Sequence, residues 1–307
     1  MGRTKPHNIL LSVLLLTTAC MVGACDDGLP APPATVPVRP PTPVPVSVVA
    51  TVYPLADVAR RVGGPYADVA WWIESGQTLD RFDPSPQQLD RLMKAGVVLS
   101  GGVGEEFATR HFDSGGFNDR RLIRLDAFVA SDQRGAAQQW LDPRAVREAV
   151  TALAHQLSII KPDAATQFRE LAGIQIKAID TLIDDFAVRL SGLNGRVAVS
   201  VGRDYSPLGR VAQMQVISVG DQPAVQLTDE QLRRIGSRIS DLGAIMMLVE
   251  SDTPPAVLRS LGERIRVPVV TIDSLGSSSS AGRDSYDKLM RYNFDQLYDG
   301  WRRAMGG

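Results

Sequence analysis

Histidine and cysteine are scarce, with three of the former and two of the latter in 307 residues. Few imidazoles and thiols are therefore on hand for a metal or a nucleophile. No charge sign is in excess either, with 33 Lys and Arg against 34 Asp and Glu. Nucleic-acid binders are normally basic, so the balance excludes nucleic acid as an expected partner. HExxH, GxSxG and P-loop motifs are all absent, which removes common signatures of metalloprotease, serine hydrolase and nucleotide hydrolase. Gly101-Gly102-Val103-Gly104 lacks the third glycine of a dinucleotide loop and reads as a tight turn. Nothing sets the separation of Asp80 and Asp83, so they make no recognisable acid–base pair. No enzymatic activity is expected.

What is present is a globular composition, 44% hydrophobic and 22% charged. The length suits two lobes of roughly 100–130 residues. At the N-terminus, Arg3 and Lys5 precede an apolar stretch at 9–18, which is too short to span a bilayer. Val22-Gly23-Ala24-Cys25 follows and resembles the lipobox of bacterial lipoproteins, in which the cysteine is acylated after cleavage. Cys20 is the other candidate, but Thr17 stands where a branched apolar residue is usual. An ordinary secretory signal with an incidental thiol stays open. On the lipobox reading, residues 1–24 are a signal peptide, Cys25 carries lipid, and no disulfide forms within the mature chain. Residues 25–47 include Pro30, Pro32, Pro33, Pro37, Pro40, Pro41, Pro43 and Pro45. They read as a semi-rigid tether that lifts the folded part off a membrane. The expected location is extracytoplasmic, lipid-anchored at the cell membrane.

The rest alternates. Strands are predicted at 48–52, 69–73, 97–99 and 122–125, with helices at 54–62, 85–94 and 142–158. A second series has strands at 197–201, around 216–217, at 244–249 and at 267–272. Helices are predicted from 228 and 253 and over 286–305. Ser85-Pro86-Gln87-Gln88 and Thr228-Asp229-Glu230-Gln231 are capping boxes. Between the two series, the spacing of Phe168, Ala172, Ile176, Ile179, Ile183, Phe186 and Leu190 predicts one helix over about 162–191. Pro162 suits its first turn, and Gly192 and Gly195 its stop. A helix of about 43 Å either joins two lobes as a strut or forms the core of one domain. The alternation predicts an α/β fold with two lobes, each a parallel sheet with flanking helices. The expected boundaries are a first lobe at 48–160, a linking helix at 161–193 and a second lobe at 194–307. Ligands of such folds bind at the carboxyl ends of the strands.

Several segments together resemble the zinc- and manganese-binding substrate-binding lipoproteins of ABC transporters. They are Val49-Ala50-Thr51-Val52-Tyr53-Pro54-Leu55, then Gly76 with Phe82-Asp83-Pro84-Ser85-Pro86, then Gly102-Val103-Gly104-Glu105. Trp140-Leu141-Asp142-Pro143, Asp273-Ser274-Leu275-Gly276 and the stretch 286–297 complete the series, which covers about 48–303. The resemblance implies two α/β lobes joined by one long helix, with little lobe closure. It also implies a divalent metal carried as cargo, an ABC permease as partner, and a monomer.

That family's metal site has two His from the first lobe, then a His or Glu and an Asp from the second. Mapped by motif, these positions fall on Asp80, Gln138, Gly202 or very near it, and Asp273. Only Asp273 matches, and Gly202 offers no side chain. His111 lies in a Gly/Asp-rich stretch and His155 on a predicted helix, so neither replaces the missing imidazoles by position. Zinc sites of this kind rely on imidazole nitrogen. Asp80, Gln138 and Asp273 offer oxygen, which suits Mn²⁺, Mg²⁺ or Ca²⁺. Facing carboxylates would also repel without a cation or proton between them. Three readings stay open: a bound divalent cation (Mn or Zn), a degenerate site in which Asp273 serves turn geometry, and a different small ligand. For that last case Trp71, Trp72, Arg81, Arg203 and Tyr205 are candidate cleft residues. The degenerate reading makes the chain a surface lipoprotein that binds a protein partner. Residues 277–280, all serine, form a flexible loop beside Asp273.

Overall fold

The computed structural model describes residues 44–73, 82–102 and 121–306. Its first sheet is built from β1 (Val46–Val52), β2 (Ala67–Ile73), β3 (Val97–Ser100) and β4 (Leu122–Arg124). These strands are all parallel and lie in the order β2-β1-β3-β4. Val48, Val49, Ala50, Val52, Val97, Val98 and Leu99 are buried on both faces of the sheet. That explains why these strands read as unbroken apolar runs rather than alternations. Parallel neighbours need a crossover, supplied here by α1 (Tyr53–Gly63) and α2 (Pro86–Lys94). Ser85 caps α2 as predicted: its Oγ accepts from Gln88 N at 3.3 Å, and its own N donates to Gln88 Oε1 at 2.9 Å.

The chain leaves this sheet through α3 (Pro143–Ile160) and the long α4 (Ala165–Arg189). Pro162 opens a separate 3-10 turn, Pro162–Ala164, ahead of α4. The helix ends at Arg189 and not at a glycine. Gly192 has a different role, since a Cβ there would lie 2.1 Å from the Trp301 ring. The buried stripe of α4 is Phe168, Ala172, Gln175, Ile179, Leu182 and Phe186. Ile176 and Ile183, expected on that stripe, are only partly buried against the core. Steps of alternating four and three keep the stripe facing its neighbours, α1 and α3, and place Gln175 and Leu182 inward.

The second sheet repeats the first. It contains β5 (Val197–Ser200), β6 (Gln215–Ser218), β7 (Met247–Glu250) and β8 (Val269–Ile272), parallel in the order β6-β5-β7-β8. Its helices are the short α5 (Ser206–Gly209), then α6 (Asp229–Leu242), α7 (Pro255–Arg264) and α8 (Tyr286–Ala304). In both sheets the strand order reverses at the central pair, which is where α/β folds place ligands. The fold is therefore α/β with two parallel-sheet lobes, as the alternation predicted. α4 packs on α1 and α3 of the first lobe and also on α8. Phe186 of α4 meets Phe294 of α8 with ring centroids 4.8 Å apart. One continuous apolar cluster runs from Val46 through Phe168 and Phe186 to Leu297. A second, smaller cluster lies on the other side of the second sheet, under α6 and α7.

The strut's contribution is measurable by denaturant unfolding. Phe168 is fully buried and meets Tyr66 edge-on at 6.0 Å, so Phe168→Ala is expected to cost about 3–5 kcal/mol. Ile174 is exposed on the same helix, and Ile174→Ala should stay within about 0.5 kcal/mol of the parent. Equal losses would contradict this assignment of the buried face.

Candidate metal site

The carboxyl ends of the central strands are built for close approach. β5 runs into Gly202, whose φ is +80°. Its N donates to Gly220 O at 2.8 Å, and a Cβ would lie 3.1 Å from Pro223 Cα. A side chain there is both strained and crowded, so this turn has no room for a donor at the third predicted position.

Gln138 occupies the turn before α3. It is buried, and its backbone is left-handed at φ 58°, ψ 43°. Its side-chain Oε1 is buried without a hydrogen-bond partner among the described residues. A left-handed non-glycine residue and an orphaned acceptor each carry a cost of about 1–3 kcal/mol. The next residue shows the opposite. Gln139 Nε2 donates to the Gln133 and Ala136 carbonyls, both at 2.8 Å, and its Oε1 accepts from Arg210 at 2.8 Å. Arg210 also pairs with Asp142 Oδ2 at 3.0 Å, while Asp142 Oδ1 caps α3 by accepting from Arg144 N at 3.0 Å. Trp140 carries this turn across to the second lobe. Its indole Nε1 donates to Ser274 O at 2.6 Å, and its own carbonyl accepts from the buried Tyr286 hydroxyl at 3.0 Å.

Asp273 follows β8. Asn293 of α8 clamps its backbone: Asp273 N donates to Asn293 Oδ1 at 2.9 Å, and Asn293 Nδ2 donates to Asp273 O at 2.7 Å. Carboxylate Oδ1 accepts from Leu275 N and Gly276 N at 3.0 and 2.8 Å, closing an Asx turn. Oδ2 accepts from Arg283 at 2.8 Å. One strand over, Glu250 ends β7. It pairs with Arg203 at 2.7 Å and accepts from the Tyr205 hydroxyl and from Ser274 Oγ, the latter at 2.9 Å. Burial raises the Glu250 pKa, outweighing Arg203, Tyr205 and Ser274, which favour its charge. Burial also pushes the Tyr205 pKa well up, so its hydroxyl remains a donor.

Of the predicted site residues, Gln138 and Asp273 lie in turns joined by the Trp140–Ser274 bond. Asp80 lies outside the described residues, as do Cys25, Arg81, His111 and Val103-Gly104-Glu105. His155 is exposed on α3. Trp72 is core, stacked on Phe82 at 6.1 Å. Trp71 lies under Arg60 at 4.5 Å and edge-on to Tyr53 at 5.5 Å. Arg203 and Tyr205 serve Glu250. Among the described residues no group of three or more His, Cys, Asp and Glu could hold a metal ion. Sequence reasoning missed Glu250, Ser274 Oγ, Arg283 and Asn293. A lone acid ending the apolar run 244–249 was the available signal for Glu250. A cavity of about 770 Å³, lined by Arg259, Arg266 and Arg303, lies at the amino end of β8 and is not this site.

A family model described as "Zinc-uptake complex component A periplasmic" matches residues 48–300. The chain is 19% identical over 277 residues to the manganese ABC transporter substrate-binding lipoprotein PsaA of Streptococcus pneumoniae serotype 4, covering 83% of this chain and 89% of that one. Its structure is similar to the Zn(II)-bound ZnuA-like domain of Streptococcus pneumoniae AdcA, with TM-score 0.72 and 17% identity over 83% of this chain and 98% of that one. It is also similar to FpvC of Pseudomonas aeruginosa in complex with Mn²⁺, with TM-score 0.70 and 21% identity over 85% of this chain and 99% of that one. At such identities these structural likenesses show the fold.

Glu250 makes stability depend on pH. Its folded pKa is raised, so its favourable contribution is complete below the ordinary glutamate value and is lost as pH rises through the raised one. The stability of the parent minus that of Glu250→Gln, from unfolding curves, should therefore fall as pH climbs above 4.5. A flat difference through that window would overturn this reading.

Proposed function

The chain belongs to the zinc-uptake complex component A periplasmic family, and from that membership we propose that it is the solute-binding component of an ABC uptake system. It captures a divalent cation between its lobes and passes it to a membrane permease, without catalysing a reaction. Residues 1–24 are the signal peptide, Cys25 carries the lipid, and 25–47 tether the folded part, whose lobes span 48–160 and 194–307 around the linking segment 161–193. The protein acts as a monomer at the outer face of the cell membrane.

The observation that carries this reading is Gln138. Its strained backbone and orphaned carboxamide oxygen are costs that a cation at Oε1 would offset. Asp273 Oδ2 supplies a carboxylate from the facing turn, and Asp80 a second. The set is all oxygen, which favours Mn²⁺ over Zn²⁺. Gly202, at the third family position, contributes nothing. One observation favours a second reading, a degenerate site that takes a non-metal ligand or a protein partner: Asp273 is already paired with Arg283.

Calorimetry and elemental analysis of the full-length chain in detergent separate the two. The metal reading expects micromolar or tighter Mn²⁺ or Zn²⁺ binding, weakened roughly tenfold or more in each of Asp80→Ala, Gln138→Ala and Asp273→Ala. No divalent binding at millimolar concentration overturns it.

A further inference from the structure

The two acids at the strand ends of the second lobe are held differently. Glu250 has three partners on its two oxygens: Arg203, Tyr205 and Ser274. It is part of the fold and not available to a ligand. Asp273 Oδ1 is equally committed, to two backbone amides. Asp273 Oδ2 differs, because its partner is the Arg283 guanidinium. Arg283 is itself lightly held. Its side chain is 30% exposed, and its remaining polar contact, to Ser251 Oγ, is long at 3.5 Å. Its guanidinium also lies 4.9 Å from the centroid of the Tyr292 ring on α8.

The segment that carries Arg283 is a short return loop. Gly276 begins it at φ +55°, with the Arg283 carbonyl packed where a Cβ would lie 2.6 Å away. Ser277 and Ser280 close its middle through hydroxyls 2.7 Å apart, and Arg283 N donates to Ser280 O at 2.9 Å. No apolar side chain anchors residues 277–283. The loop can therefore release the guanidinium from Asp273 at little cost in packing, while the Tyr292 face it already touches continues to attract it by cation–π interaction.

We propose that Arg283 is a tethered counter-cation, which neutralises Asp273 until a divalent ion displaces it and so sets the affinity and charge selectivity of the site. The inference rests on the metal-capture reading. A monovalent cation cannot improve on a guanidinium already bonded to Oδ2. On the metal-capture reading a divalent ion gains Gln138 Oε1 as well as Oδ2, and only an ion of higher charge density gains enough to expel the arginine. The same competition keeps affinity moderate, which suits a carrier that must give up its cargo.

The test is calorimetric titration of MnCl₂ into the full-length chain and two variants. Arg283→Met removes the charge but keeps the stem; it should bind Mn²⁺ roughly tenfold or more tightly than the parent, about 1.4 kcal/mol. Arg283→Lys should remain within about threefold of the parent, since it keeps the competing charge. A Met variant that binds no tighter than a parent that does bind overturns the role of Arg283 and leaves metal capture standing. No binding by the parent or by either variant overturns metal capture itself. The unaltered chain supplies a second readout independent of any folding defect: phenylglyoxal labelling of Arg283, followed by mass spectrometry. Labelling should accelerate when Mn²⁺ is added, and an unchanged rate overturns the displacement.

Discussion

The buried hydrogen bond from the Trp140 indole to the Ser274 carbonyl is the contact on which the site depends. It spans 134 positions of sequence at 2.6 Å. On one side it fixes the turn that strains Gln138; on the other it fixes the turn that presents Asp273. Both ends are tied further, by Tyr286 to the Trp140 carbonyl and by Ser274 Oγ to Glu250. Arg210 adds a second, partly buried link, from beside α5 to Gln139 and Asp142. Polar bonds this deep are costly to break singly, because each leaves an unpaired partner behind. Together with an apolar cluster common to both sheets, they oppose wide opening of the lobes. Among the described residues near the site, the short loop that carries Arg283 has no apolar anchor at residues 277–283.

This arrangement inverts the usual electrostatics of a cation cleft. Carboxylates converging from two lobes repel until a cation arrives. Here the second lobe supplies its own cations, Arg203 for Glu250 and Arg283 for Asp273. The first pair is structural: Tyr205 and Ser274 complete it, and burial raises the pKa of the acid. The second is an ion pair that a stronger cation can replace. At the proposed site, arginine thus supplies the countercharge that Asp273 would otherwise lack. Among the described residues, Gln138 Oε1 is one of four buried polar atoms left without a partner, the others being Trp71 Nε1, Gln175 Nε2 and Ser200 Oγ.

Much of the fold was legible because its signals are local. Both capping boxes were written in four residues each, and both form as read. Buried parallel strands announce themselves as apolar runs. The long helix was visible from its period, yet its face was misjudged by one residue, since Gln175 packs inward while Ile176 lies at the flank. Periodicity assigns apolar residues to the interior and cannot foresee a buried glutamine amide. The site was less legible for a related reason. Motif spacing offered Gln138 and Asp273 as candidates, but the partners that hold them come from distant sequence. Arg283 reaches Asp273 through a serine-rich return, and Glu250 meets Ser274 across strands. Neither pairing has a sequence period. Nor does the left-handed turn at Gln138, a conformation usually left to glycine or asparagine.

On the proposed reading the cleft holds its cation with oxygen alone. Electron–nuclear double resonance on the Mn²⁺-loaded full-length chain tests it most directly, because directly bound imidazole nitrogen gives a resolved ¹⁴N coupling. Oxygen-only ligation gives a bound Mn²⁺ spectrum with no such coupling, altered when Gln138 or Asp273 is replaced. A strong ¹⁴N coupling from a histidine ligand would contradict it.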